Sequence, residues 1–158
     1  MKYKIGVFGS AGMLSQKIRQ KAHDTGKELA KRQCIVITGA TTGISDEAVI
    51  SAFKYGGKTW GFSPAINAAS QQKFIPAVNI KNYSKIFFIP PNFPYKDNHL
   101  VCKIFRNITS TATCEAGIII SGRWGTLNEF TNLYDMGKVI GVVTETGGIA
   151  DELSNLCD

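Results

Sequence analysis

Much that a sequence of 158 residues can carry is missing from this one. No apolar run approaches the roughly 20 residues that cross a bilayer. The apolar part of the N-terminal MKYKIGVFGS is too short for a secretory signal and leads into Gly9-Ser10. A cytoplasmic location and no membrane partner are therefore expected. The cysteines, Cys34, Cys102, Cys114 and Cys157, form no C-x-x-C pair and have no histidine at ligand spacing. They read as small core residues, and neither a metal nor a cofactor is expected. A G-x-x-x-x-G-K-[ST] run is absent, which excludes a P-loop, and no serine sits in G-x-S-x-G, which disfavours that class of hydrolase. His23 and His99 lack triad partners in a recognisable setting. Linkers, repeats and low-complexity segments are also absent, so residues 1–158 are expected to form one domain.

Charge of one sign is not missing. The formal net charge is +6. Much of the excess lies in residues 17–32, where Lys17, Arg19, Lys21, Lys27, Lys31 and Arg32 interleave with Ile18, Ala22 and Leu29 at helical spacing. That is the pattern of a solvated helix face, with no recognition helix or zinc finger beside it. Nucleic acid is therefore not an expected partner, whereas anionic small molecules are.

Apolar runs alternate with amphipathic stretches from end to end, the signature of a parallel sheet between helices. KIGVFGS, CIVITGA, KTWGFSP, KIFFIP, AGIIIS and VIGVVTE read as strands. Helices are expected over residues 14–30, from Ser45-Asp46-Glu47 to the glycines at 56–57, over 98–111 and 126–136, and briefly at the C-terminus. Residues 64–83 read as loop with a short helix. The architecture expected is an α/β, Rossmann-like, doubly wound parallel sheet sandwiched by helices. In such sheets ligands bind beyond the carboxyl ends of the strands. The loops that would converge there contain Gly9-Ser10-Ala11-Gly12, Gly39 to Gly43, Ser63-Pro64, Pro90-Pro91, and Ser121-Gly122-Arg123-Trp124-Gly125-Thr126.

Glycine at a strand end allows close backbone approach to a ligand, and the free N–H groups of the next helix favour an anion. GSAG matches a dinucleotide fingerprint only in part, because its third glycine and an acidic ribose partner are lacking. Thr126-Leu127-Asn128-Glu129 fits a capping box. Glu129 thus reads either as a helix cap or as a carboxylate overlooking the ligand rim. Arg106 reads either as a surface residue or as part of that rim. Trp60 reads as core. Trp124, inside the turn, suits base stacking, a subunit contact or burial.

Ser121-Gly122-Arg123-Trp124-Gly125-Thr126-Leu127-Asn128-Glu129 resembles the P-G-G-x-G-T-x-x-E turn of the LONELY GUY, lysine-decarboxylase-like family of Rossmann-like nucleotide-binding proteins. Arg106-Asn107 stands where that family has Arg-Lys, and Cys114-Glu115 where it has Ala-Asp. VFGSAG, ITGATTGI and GKVIGVVTETGGIADEL extend the resemblance over nearly the whole chain.

The resemblance implies a nucleoside 5′-monophosphate phosphoribohydrolase, which cleaves an N-glycosidic bond to free base and ribose 5-phosphate. It places Arg106 and Glu129 in catalytic positions. Phosphate or nucleotide contacts fall to Gly9, Ser10, Gly39, Gly43, Gly122, Arg123, Gly125 and Thr126. A homodimer or higher homo-oligomer is implied as well. Ser121, Arg123 and Asn107 depart from the pattern in the manner of the shorter relatives, which include a molybdenum-cofactor carrier. The alternative is thus non-catalytic binding of a nucleotide or of that cofactor. Relatives continue past the last helix, so a shortened form is expected.

Overall fold

The computed structural model describes residues 2–12 and 14–156; Cys157 lies outside them. Six parallel strands form one sheet in the order β4-β3-β2-β1-β5-β6. They are β1 (Lys4–Gly9), β2 (Ile35–Thr38), β3 (Lys58–Phe62), β4 (Lys85–Phe87), β5 (Ala116–Ile120) and β6 (Val139–Val143). The helices are α1 (Gln16–Lys31), α2 (Ile44–Lys54), α3 (Ala68–Phe74), α4 (His99–Thr113), α5 (Trp124–Asp135) and α6 (Ile149–Glu152). This is the expected Rossmann-like sandwich.

Strand alternation divides the core. Val7, Val36 and Ile120 pack with Ala22, Leu29, Ile44, Ala48 and Ala52, so α1 and α2 cover one face. Phe8, Ile37 and Ile119 pack with Phe130, Leu133, Ala150 and Leu153, so α5 and α6 cover the other. No helix among the described residues is long and apolar enough to cross a membrane.

Helix α1 begins at Gln16 behind Ser15 rather than at residue 14, and two helix starts that border the ligand crevice also differ from the sequence reading. Helix α2 begins at Ile44 behind Gly43, not at a Ser45 cap; the Ile44 N–H is taken by the Ser10 carbonyl at 2.9 Å, and Ser45 is buried. Helix α5 begins at Trp124 with Arg123 as its N-cap residue, and no side chain caps it. Thr126 and Glu129 therefore lie inside the helix and form no capping box. By contrast, α4 begins within one residue of the expected start, with Asn98 as its cap, the Asn98 Oδ1 accepting from the N–H groups of Leu100 and Val101. The basic face of α1 is solvated and partly neutralised by Glu28 and Glu47.

Strand order reverses beside β1: the chain builds outward through β2, β3 and β4, then returns to place β5 on the opposite side. The loops leaving β1 and β5 flank that point, and the ligand crevice of doubly wound sheets forms there.

Candidate functional site

A cavity of about 200 Å³ opens at this crevice. Gly9, Ser10 and Ala11 line it from the end of β1, Thr41 and Ser45 from the start of α2, and Lys103, Arg106 and Asn107 from α4. Arg123, Gly125, Thr126 and Glu129 close it from the first turns of α5. Seven of the ten residues singled out in the sequence thus meet in one place; Gly39, Gly43 and Gly122 do not line it.

Those three glycines act behind the wall. Arg106 is only 8% exposed, and its Nη1 donates to the Gly39 carbonyl at 2.5 Å. A Cβ on Gly39 would fall 1.5 Å from that nitrogen, so glycine is what lets the guanidinium lie there. Gly43 abuts the Ser10 carbonyl and joins the α2 start to the β1 loop. Gly122 presents its carbonyl to the N–H of Ile149 at 3.0 Å.

The turn before α5 is clamped by the C-terminal segment. Ser121 adopts φ 55°, and its N–H donates to Thr146 Oγ1 at 2.8 Å. A proline, as in the resembling turn, has neither that φ nor an N–H. The clamp therefore excludes proline here, and it holds Ser121 through its backbone N–H and carbonyl. Thr146 is itself fixed by donation to the Val143 carbonyl at 2.7 Å, and its N–H faces Asp151.

Electrostatically the cavity is uneven. Burial pushes the Glu129 carboxyl up to about 7, and the neighbouring Arg106 charge opposes that rise. Burial lowers the Arg106 pKa, and the Glu129 charge opposes this. The two feel one another without a direct ion pair. Arg106 Nε and Asn107 Oδ1 are buried and have no hydrogen-bond partner. At the mouth, the exposed Arg123 reaches back across the crevice; a Cβ on Gly12 would lie 3.9 Å from its Nη2.

With an uncapped helix start, three cationic side chains and a carboxylate of raised pKa, the cavity suits an anionic ligand with chemistry at its inner end. Among the described residues no cluster could hold a metal ion. Trp124 is 81% exposed beside this mouth, and Trp60 is partly buried against Phe87. The sequence reading passed over Lys103, Thr41 and Ser45. Lys103 had a signal, because it precedes Arg106 and Asn107 by one helical turn.

Solved structures with this architecture include TM1055, at 23% identity and a TM-score of 0.78, covering 98% of this chain and 81% of that one. A molybdenum cofactor binding protein from Rippkaea orientalis matches at 19% identity and TM-score 0.74, covering 99% and 85%. DNA processing protein A from Streptococcus pneumoniae matches at 19% and 0.72; this chain, 99% covered, spans 54% of its length. A Helicobacter pylori counterpart is described for its single-stranded DNA binding mode, so the expectation of no nucleic-acid partner finds no support among these structures. No curated protein sequence matches. At these identities the likeness carries the fold alone, but the family is decided by a sequence profile that matches residues 2–156: the chain belongs to the SLOG cluster4 family.

Proposed function

We propose that the protein binds a nucleoside 5′-monophosphate in the β1–β5 crevice and hydrolyses its N-glycosidic bond. The observation that carries this reading is the pair of buried, mutually unpaired groups, Arg106 and Glu129, facing one cavity at the uncapped start of α5. The phosphate would lie against the N–H groups around Gly125 and Thr126, with Arg123 and Lys103 adding charge. Breaking the C1′–N bond builds positive charge on the sugar, which an ionised Glu129 stabilises while it orients water. The water's hydroxyl ends on C1′, its proton passes by way of the carboxyl, and the base leaves protonated. A carboxyl titrating near 7 suits both halves of that transfer.

A second reading is binding without turnover, favoured by the fold's likeness to molybdenum cofactor carriers. Incubation with a panel of nucleoside monophosphates separates the two. Released base supports hydrolysis, saturable binding with intact nucleotide supports the carrier, and the absence of both sinks the nucleotide reading.

The site is also proposed to lie beside a subunit contact. Leu100, Ile104 and Ile108 form an exposed stripe on α4 at four-residue spacing, continuous with the helix that carries Lys103 and Arg106. Phe105 is not part of it, because it packs on Phe93. A second copy covering that stripe would make a homodimer. Sedimentation as a monomer at micromolar concentration would overturn this.

A further inference from the structure

Two polar atoms on adjacent residues of α4 lack a partner within the protein. Asn107 is 6% exposed; its Nδ2 donates to Asn128 Oδ1 at 3.0 Å, which leaves its own Oδ1 buried and unbonded. Arg106 commits Nη1 to the Gly39 carbonyl, which leaves Nε buried and unbonded. Both residues line the same cavity. Buried polar atoms are nearly always paired, because losing water without a replacement bond is costly. An unpaired acceptor and an unpaired donor on two residues that line one cavity therefore constrain what binds there.

Few ligand groups satisfy both. A phosphoryl or carbonyl oxygen accepts from Arg106 but repels the Asn107 oxygen, and an ammonium does the reverse. Two neighbouring hydroxyls satisfy both atoms, one donating to Asn107 and the other accepting from Arg106. A hydroxyl also serves whichever end of the amide meets it. Lysine, which the resembling motif has here, carries donors only, so the two-sided demand comes from this chain's own asparagine.

We propose that Asn107 determines specificity in this site: the 2′-hydroxyl of a ribose donates to Asn107 Oδ1 while the 3′-hydroxyl accepts from Arg106 Nε, so that ribonucleotides are selected over 2′-deoxyribonucleotides. This rests on the nucleotide reading above. It fits Glu129 in the same cavity, one residue from the Asn128 that Asn107 contacts, since the 2′-hydroxyl adjoins the anomeric carbon on which that carboxylate would act.

The test is calorimetric titration with each of the four ribonucleoside 5′-monophosphates and its 2′-deoxy counterpart, in a Glu129→Gln background that silences turnover. The ribonucleotide that binds is expected to do so about tenfold more tightly than its deoxy form, the equivalent of one or two hydrogen bonds. Asn107→Leu should bring that ratio close to one while leaving deoxynucleotide affinity nearly unchanged. Asn107→Asp keeps an acceptor and should keep the ratio, although its charge weakens both ligands. If Asn107→Leu does not fold, Asn107→Ser replaces it and must lower the ratio in the same way. Equal affinity for the two sugars, or an undiminished ratio in the folded variant, overturns this inference alone. Absence of binding by all eight nucleotides overturns the nucleotide reading and this inference with it.

Discussion

Two arginine–glutamate couples serve the molecule in opposite ways. Arg19 on α1 and Glu47 on α2 meet at the surface, where Arg19 Nε donates to Glu47 Oε1 at 2.7 Å. Each satisfies the other and water does the rest; such pairs contribute about 0–1 kcal/mol. Arg106 and Glu129 are both buried, yet they do not close on one another. Their charges are held apart by backbone geometry, with Arg106 bound to the Gly39 carbonyl and Glu129 fixed inside α5. A surface pair that is complete has nothing left to offer a ligand. A buried pair kept open is costly to the empty protein, and the proposed ligand would recover that cost.

The sharpest way to break this contrast is Glu129→Gln. It preserves shape and removes charge, so turnover should fall by about 10²–10⁴-fold, the usual share of a general acid–base group, while nucleotide binding persists. Base release measured against wild type checks it, and unaltered turnover would end the catalytic assignment.

The same variant should change how stability depends on pH. Glu129 is raised to about 7 in the fold, and Asp46, half-buried with Oδ1 unpaired, to about 6. A carboxyl raised in the folded state favours folding while protonated, so stability is highest below its unfolded pKa and declines as pH rises through the folded one. Between about pH 4.5 and 7 the Glu129 contribution is on the order of 3 kcal/mol. Urea unfolding across that range should show the decline in wild type and a flatter profile in Glu129→Gln. The shallower remainder belongs to Asp46.

Gly39→Ala tests whether the open geometry depends on the backbone. The new methyl displaces the guanidinium from the Gly39 carbonyl, with an expected loss of about 1–3 kcal/mol in chemical unfolding and weaker nucleotide binding by calorimetry. Unchanged affinity would mean that Arg106 needs no such anchor. Arg19→Ala, at the other couple, should cost no more than about 1 kcal/mol, diminish with added salt, and leave ligand affinity untouched. A larger, salt-independent loss would erase the distinction between the couples.

How far the sequence reached differs from element to element. All six strands were visible as short runs rich in apolar residues; the central AGIIIS is unbroken, as a strand buried on both faces needs to be, whereas the edge strand β6 leaves Val139 exposed. The start of α5 was misplaced because Thr126 and Glu129 match a cap in spacing, whereas the turn before them is held by Thr146, Ile149 and Ala150 from the far end of the chain. No local pattern reports such a clamp. Gly39 and Gly122 were noticed as ligand-binding glycines, but Gly39 makes room for Arg106, and Gly122, at φ 108°, for the Thr126 side chain.

Periodicity and residue type settle whatever depends on near neighbours along the chain. The alternation of apolar strand and amphipathic helix and the glycines at strand ends are of this kind, and the sequence alone determined them. Which polar atoms remain unpaired depends on distances between segments remote in sequence: Arg106 to Gly39, Asn107 to Asn128, Ser121 to Thr146. Only the tertiary structure decided that Arg106 Nε and Asn107 Oδ1 stay open, because a hydrogen bond is made or missed over tenths of an ångström that residue order does not encode.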